Sequence, residues 1–221
     1  MAIRAVLFDM DGVLVDSETY YCEGTFRWMK ELGFQGEQKE IYCMLGTTME
    51  VTYQMMQKLL GYTHSLDNIQ EVNETYFKEH PIPYKKIMIP GVKELLLFLK
   101  EKGIKTAVCS SSPLDLIEKC TEECDIRKYF DYIVSGEQFK NSKPDPEIYL
   151  HAAEVFGYQP EECLVIEDAK LGIEAGVNAG MKVIALHNPK FMQDQSKASW
   201  QSETMSGIQT IISQEISGNK N

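Results

Sequence analysis

Five short runs of continuous apolar or β-branched residues constrain the fold of this 221-residue chain more than any other feature. They lie at 3–8, 106–109, 132–134, 164–166 and 183–186. Apolar and polar residues do not alternate within the runs, which is typical of strands that are buried on both faces, as in a parallel sheet. The sequence therefore predicts a buried parallel sheet.

Helical segments follow the later runs. The apolar periodicity predicts helices at 92–102, 114–124, 146–156 and 171–179. Gly103, Gly157 and Gly180 come directly after three of them, where a glycine commonly ends a helix. Strands that alternate with helices imply right-handed βαβ crossovers, so we predict an α/β fold with a doubly wound parallel sheet.

The long stretch between the first and second runs interrupts this pattern. From 17 to 88 it is helical in pattern, with strong periodicity at 49–60 and 66–79 and without a convincing strand. We therefore predict two domains: an α/β core formed by 1–16 and 89–221, and an inserted all-helical domain at 17–88.

The composition of the chain disfavours two classes of binding partner, nucleic acids and membranes. The formal charge of −11 disfavours nucleic acid, because affinity for a phosphate backbone comes mainly from cationic side chains. No apolar run approaches the ~20 residues that span a bilayer, and no signal-like segment opens the chain. The six cysteines form no CxxC pair and are expected to be free thiols. We expect a cytoplasmic monomer with neither nucleic-acid nor membrane partners.

Polar residues collect where the predicted strands end, which is where open α/β sheets bind ligands. Those that follow the first, second and fourth runs are Asp9, Asp11, Ser110, Ser111, Glu167 and Asp168. Lys143 lies in the loop after the third run. Like charges brought together need a counter-ion, so this set could hold a divalent cation and a phosphoryl group.

Simpler structural interpretations exist for several of these residues. Asp9 and Asp11 are also typical of a plain Asp-x-Asp-Gly turn, and Lys143 taken alone of a surface lysine. We expect Ser112 and Asp145 to cap the helices that follow them. Glu167, however, would be a buried unpaired charge at a strand end unless a metal ion held it together with its neighbour.

Four segments, in this order, resemble the motifs of the haloacid dehalogenase-like hydrolase superfamily. They are VLFDMDGVL at 6–14, VCSSS at 108–112, SKPDP at 142–146, and IED at 166–168 with the glycines and alanine at 172–176. The helical insertion directly after the first segment is similar to the cap of the subgroup that includes β-phosphoglucomutase and phosphosugar phosphatases. The resemblance covers essentially the whole chain and implies a Rossmann-like core with a helical cap.

The resemblance also implies roles for individual residues. Asp9 would attack phosphorus and form an aspartyl-phosphate. Asp11 would protonate the leaving oxygen and then deprotonate the attacking water. Ser110 and Ser111, with neighbouring amides, and Lys143 would bind the phosphoryl oxygens.

Mg²⁺ is the cofactor that the resemblance implies. Its ligands would be Asp9, the backbone carbonyl of Asp11, Asp168 and, through water, Glu167. In relatives, a cap loop that matches Gly46, Thr47 and Thr48 leans over the active site. These three residues are therefore candidates for substrate contact.

The expected activity is Mg²⁺-dependent hydrolysis of a small phosphorylated metabolite, in particular a sugar phosphate. One alternative is a mutase of the β-phosphoglucomutase type, although the cap histidine and arginine of that enzyme align here with Tyr21 and Met49. A second is a non-enzymatic phosphoacceptor like a receiver domain. Its phosphorylated aspartate would follow the third strand, and the large insertion argues against it.

Overall fold

The computed structural model describes residues 2–45, 49–191 and 193–218. Its centre is a six-stranded parallel sheet in the order β3-β2-β1-β4-β5-β6. The strands are β1 (Ala5–Phe8), β2 (Lys105–Ser110), β3 (Tyr132–Ser135), β4 (Cys163–Glu167), β5 (Lys182–Leu186) and β6 (Trp200–Ser202). The predicted parallel sheet is thus confirmed.

The strand order brings three strand ends together. β1 lies between β2 and β4, and Leu7 pairs with Ala107 on one side and Val165 on the other. Chain order reverses between β1 and β4, which creates the switch point at which open α/β sheets bind ligands. The residues that follow β1, β2 and β4 therefore border the same crevice.

Helices lie between the strands along the chain. They are α1 (Ser17–Glu31), α2 (Met49–Leu59), α3 (Leu66–Glu79), α4 (Tyr84–Ile87), α5 (Val92–Glu101), α6 (Leu114–Glu123), α7 (Glu147–Phe156), α8 (Lys170–Asn178) and α9 (Met205–Gly218). Those of the core pack on the sheet, whereas α1, α2 and α3 belong to the insertion. Ala5 and Leu7 point toward α7 and α8, with which they share one buried cluster. The alternate residues Val6 and Phe8 point the other way, and α5, α6 and α9 complete the layers of the core. The doubly wound fold is confirmed.

The described residues form two compact units. One contains the chain up to Asp16 and from Tyr84 onward, and the other contains 17–83. The predicted boundary at 88 lies five residues further along the chain. Asp16 N donates to Ile87 O (2.8 Å) and Ile89 N to Leu14 O (3.0 Å), and these hydrogen bonds tie α4 and its exit to the segment after β1.

The helical insertion has an aromatic and methionine-rich interior. Its described residues include no strand. Rings of α1 and α3 pack together, with Tyr21 and Phe77 centroids 5.0 Å apart. A cavity of about 570 Å³ lies within this unit, and its walls include Met44, Met49 and Met56. Gly46, Thr47 and Thr48, the predicted cap-loop residues, lie outside the described residues.

Two elements of the core were not predicted. β6 is a three-residue strand at the edge of the sheet, and its sequence contains no apolar run. α9 buries Ile208 and Ile212, four residues apart, after β6. All six cysteines are free thiols, as expected. Among the described residues, no helix is both long enough and apolar enough to cross a bilayer.

Candidate active site

Lys143 is the centre of a buried polar cluster at the carboxyl edge of the sheet. Its Nζ donates to Asp9 Oδ1 at 2.6 Å, to Glu167 Oε1 at 2.8 Å and to the carbonyl oxygen of Cys109 at 3.1 Å. Only 9% of the lysine side chain is exposed. The sequence predicted that the ends of β1 and β4 and the loop after β3 share one site, and the structure brings these three residues into direct contact.

Glu167 ends β4 and accepts hydrogen bonds on both carboxylate oxygens. Oε1 receives Lys143 Nζ and the hydroxyl of Tyr149 (3.1 Å). Oε2 receives the backbone N–H groups of Asp168 (2.9 Å) and Ala169 (3.1 Å). The expectation that only a metal ion would compensate this buried charge is therefore wrong, because protein donors already do so.

Asp9, Glu167 and Asp168 could hold a metal ion. One carboxylate oxygen of each lies within 4.8 Å of the others, and all three residues are buried. An octahedral Mg²⁺ needs oxygen ligands separated by about 3 to 4 Å, so Asp9 and Asp168 could bind it directly and Glu167 through a water molecule. The donors are all hard oxygen atoms, which Mg²⁺ prefers. The residues present thus fit the expected cofactor.

The electrostatics of the cluster also favour an additional cation. Burial raises the pKa of Asp9 to about 8, Lys143 opposes this shift, and Glu167 and Asp11 reinforce it. Burial alone would lower the pKa of Lys143, but Asp9 and Glu167 outweigh it and raise that pKa well above its usual value. One ammonium group therefore stabilises several carboxylates, and a divalent ion would lower the cost of ionising Asp9.

Asp11 is linked to the end of β2 through Ser112. The Ser112 hydroxyl donates to Asp11 Oδ2 at 2.8 Å, and the Ser112 amide donates to Ser110 Oγ at 3.1 Å. The prediction that Ser112 caps α6 is wrong, since Pro113 occupies the N-cap and no side chain caps that helix. Ser112 instead orients the carboxylate that was expected to act as acid and base.

The other predicted residues differ in their surroundings. Ser110 is buried beside the cluster, whereas Ser111 is exposed. Asp145 is not the N-cap of α7, because Pro146 occupies that position, but Asp145 Oδ1 accepts the backbone N–H of Glu147 in the first turn at 3.1 Å. The carboxylate of Asp11 is not part of the three-residue metal group.

Two glycines allow the chain to approach these carboxylates. Gly12 follows Asp11 with φ +74°, and a Cβ at this position would overlap the carboxylate of Asp168. A Cβ at Gly172, in the first turn of α8, would overlap the carboxylate of Glu167. Any larger residue at either position would displace a member of the cluster.

Sequence reasoning missed two residues that contact the site. Tyr149, in the first turn of α7, donates to Glu167. Gln195, in the segment between β5 and β6, is buried, and its Nε2 donates to the backbone oxygens of Asp168 (2.6 Å) and Leu186 (3.0 Å). A tyrosine on the buried face of a helix needs a hydrogen-bond partner for its hydroxyl, so the apolar pattern of the predicted helix could have identified Tyr149 as a residue that contacts the site. Gln195 gave no comparable signal.

The sequence of the chain matches a known family and known proteins. The family described as Haloacid dehalogenase-like hydrolase matches residues 6–186. A Thermotoga maritima protein named "Phosphorylated carbohydrates phosphatase" is 35% identical over 184 residues, which are 82% of this chain and 84% of that protein.

Two solved structures have the same fold. A HAD family hydrolase from Deinococcus radiodurans, with bound phosphate and sodium, has a TM-score of 0.84 and 25% identity, and 96% of each chain is covered. A β-phosphoglucomutase from Clostridium difficile has a TM-score of 0.71 and 25% identity, and 98% of each chain is covered. Because the family match extends from β1 to the end of β5, this chain belongs to the haloacid dehalogenase-like hydrolase family.

Proposed function

We propose that this protein is a Mg²⁺-dependent phosphatase that hydrolyses a small sugar phosphate through an aspartyl-phosphate on Asp9. The observation that carries the proposal is the 2.6 Å contact between Lys143 Nζ and Asp9 Oδ1 inside a buried carboxylate cluster. A lysine held there can neutralise the nucleophile between turnovers and bind phosphoryl oxygens during them.

In the first half of the reaction, an oxygen of Asp9 attacks phosphorus, and the bond from phosphorus to the ester oxygen breaks. Asp11 donates its proton to that oxygen as the alcohol leaves. The hydrogen bond from Ser112 orients Asp11 for this step. Ser110 Oγ already accepts the Ser112 amide, so its own hydrogen can be donated to a phosphoryl oxygen.

In the second half, water attacks the phosphorus of the aspartyl-phosphate, and Asp11 takes a proton from that water. The bond from phosphorus to Asp9 breaks, and inorganic phosphate leaves. Lys143 then contacts the regenerated Asp9 carboxylate, as in the structure.

Asp9, Asp168 and the carbonyl of Asp11 would hold Mg²⁺, and Glu167 would act through water. When bound, the ion supplies the positive charge that lets an anionic nucleophile approach an anionic phosphate ester. Because Glu167 already accepts four hydrogen bonds, a water-mediated role would preserve its contacts with the protein.

The relative named as a phosphatase of phosphorylated carbohydrates supports a sugar phosphate as substrate. The β-phosphoglucomutase neighbour keeps a mutase as the second candidate. By the resemblance to the β-phosphoglucomutase subgroup, Tyr21 and Met49 stand where a mutase carries a cap histidine and a cap arginine, and both line the cavity of the insertion. None of the described lining residues is Lys, Arg or His, and a mutase must hold a second phosphoryl group. Hydrolysis is therefore favoured.

Phosphate release from a panel of sugar phosphates, phosphoglycolate and p-nitrophenyl phosphate tests the proposal. We expect many turnovers per enzyme with Mg²⁺ and none after chelation with EDTA. β-Glucose 1-phosphate with its bisphosphate activator is the arm that tests the mutase. Isomerisation without net phosphate release would replace the proposed function with the second candidate, and no turnover on any ester would reject both.

A further inference from the structure

Tyr149 occupies a position between the lysine and the glutamate of the site. Its side chain is completely buried, on the face of α7 that packs against the sheet. The hydroxyl donates to Glu167 Oε1 at 3.1 Å, and Lys143 Nζ lies 5.0 Å from the centroid of the ring. A single side chain therefore contacts both members of the Lys143–Glu167 ion pair.

The hydroxyl of Tyr149 contacts Glu167, and its ring contacts Lys143. Glu167 Oε1 accepts both the tyrosine hydroxyl and Lys143 Nζ, so the hydroxyl determines where this oxygen meets the amine. The aromatic face lies against the ammonium group at a distance typical of a cation–π contact. Two donors on one oxygen, with a ring beside one of them, leave Lys143 few alternative positions.

The choice of hydrogen-bond partner distinguishes this arrangement from simple core packing. A buried tyrosine hydroxyl needs an acceptor, and a backbone carbonyl would satisfy it. Here the acceptor is a carboxylate that contacts the lysine beside the nucleophile. Phenylalanine would keep the ring beside Lys143, so the hydroxyl is the part of Tyr149 that holds Glu167.

We propose that Tyr149 is a positioning residue: its hydroxyl holds Glu167, and through Glu167 it sets Lys143 against Asp9. The predicted effect of Tyr149 on kcat rests on the proposed function, whereas the predicted effect on the position of the Lys143 amine does not. Without the hydroxyl, Oε1 of Glu167 keeps Lys143 as its donor but is no longer fixed by α7, so the carboxylate can turn about its backbone contacts at Oε2 and shift the amine relative to Asp9.

The test compares Tyr149→Phe with Tyr132→Phe. Tyr132 is partly buried against the same core cluster, and its hydroxyl has one side-chain hydrogen bond, to His151 Nε2 at 3.0 Å and not to a residue of the site. We expect both variants to show similar small decreases in melting temperature. With p-nitrophenyl phosphate and saturating Mg²⁺, kcat should fall about tenfold in Tyr149→Phe alone, the effect of losing one hydrogen bond to a charged group.

A second measurement does not depend on activity. The rate at which an acylating reagent modifies Lys143, followed by mass spectrometry, reports how firmly the amine is held. We expect acylation of Lys143 to be several-fold faster in Tyr149→Phe than in wild type or Tyr132→Phe. Because Tyr149 acts through Glu167, adding Tyr149→Phe to Glu167→Gln should lower kcat no further.

Equal kcat and equal acylation rates in the two phenylalanine variants would overturn the proposal. So would fully additive losses in the double variant. If the wild-type protein hydrolyses no phosphate ester, the proposed function fails, and the acylation of Lys143 alone decides whether Tyr149 positions the amine.

Discussion

The carboxyl edge of the core sheet and the interior of the helical insertion bury different chemistry. At the sheet edge, Asp9, Lys143 and Glu167 are buried with defined hydrogen bonds at 2.6 to 3.1 Å. The insertion instead packs partly exposed aromatic rings beside a cavity of about 570 Å³ whose walls include three methionines. Short charge-assisted hydrogen bonds admit little variation in geometry, whereas methionine side chains adapt to different neighbours.

This difference predicts a division of tasks between the two regions. The sheet edge has the precision that a common chemical step requires, because small displacements of reacting groups cost large factors in rate. The insertion has an adaptable apolar wall, which suits recognition that differs among substrates. Changes at the sheet edge should therefore affect every substrate alike, and changes in the insertion should affect substrates unequally.

The largest expected effect is that of Asp9→Asn. The amide cannot act as a nucleophile toward phosphorus, so kcat should fall by about 10⁴-fold or more on every ester tested. Asp145→Asn is the matched control, since the asparagine oxygen can also accept the Glu147 amide and Asp145 has no hydrogen bond to the cluster. Comparable losses in the two variants would contradict the assignment of Asp9.

The next effect is that of Gly172→Ala, whose Cβ would overlap the Glu167 carboxylate. Displacement of Glu167 should move Lys143 and lower kcat by about 10²-fold. Gly176→Ala, one turn further along α8, crowds Val183 and Val165 instead. Both variants should lose about 1–3 kcal/mol of unfolding free energy, measured by urea denaturation. When both variants are folded, only Gly172→Ala should lose activity. A similar loss of activity in Gly176→Ala would show that a change in α8, and not displacement of Glu167, lowers kcat.

A smaller effect is expected for Gln195→Leu, which leaves the carbonyls of Asp168 and Leu186 without this donor. We expect a loss of about 1–3 kcal/mol of unfolding free energy. The Mg²⁺ concentration for half-maximal activity should rise about tenfold, as when the support of a metal ligand is removed. The control is Gln201→Leu, which removes an exposed side-chain donor to the backbone carbonyl of Gln195. An unchanged Mg²⁺ requirement in Gln195→Leu would contradict the role of this residue.

The smallest effect on the rate of p-nitrophenyl phosphate hydrolysis is expected for a substitution in the insertion. Met49→Ala should change the ratio of kcat/KM between two sugar phosphates several-fold and leave the rate on p-nitrophenyl phosphate nearly constant. Met49 is 55% exposed in the cavity wall, and Leu66→Ala removes an exposed apolar residue of the same unit outside that wall. Equal responses of all substrates to Met49→Ala would remove the distinction between the two regions.

The sequence was most informative where topology determines position. Once β1, β2 and β4 are parallel neighbours, the residues that follow them must meet at one edge, so Asp9, Ser110 and Glu167 could be placed without coordinates. Lys143 was located by its motif. The edge strand β6 was missed because Trp200–Ser202 has no apolar run.

Side-chain partners distant in sequence could not be predicted. Ser112 was expected to cap a helix one residue away, but its partner is Asp11, 101 residues earlier. The partners of Gln195 are likewise backbone atoms of two separate strand ends. Local sequence propensity predicts contacts between neighbours along the chain. It does not predict which distant loop a short polar side chain contacts after folding.

Trapping the covalent intermediate tests the central claim most directly. Borohydride reduces an aspartyl-phosphate to homoserine, which mass spectrometry locates in the peptide that contains position 9. With substrate and Mg²⁺ present, we predict homoserine at position 9 in the wild-type protein, and none there without substrate. Reduction at another aspartate, or an unmodified Asp9 during steady turnover, would contradict the account.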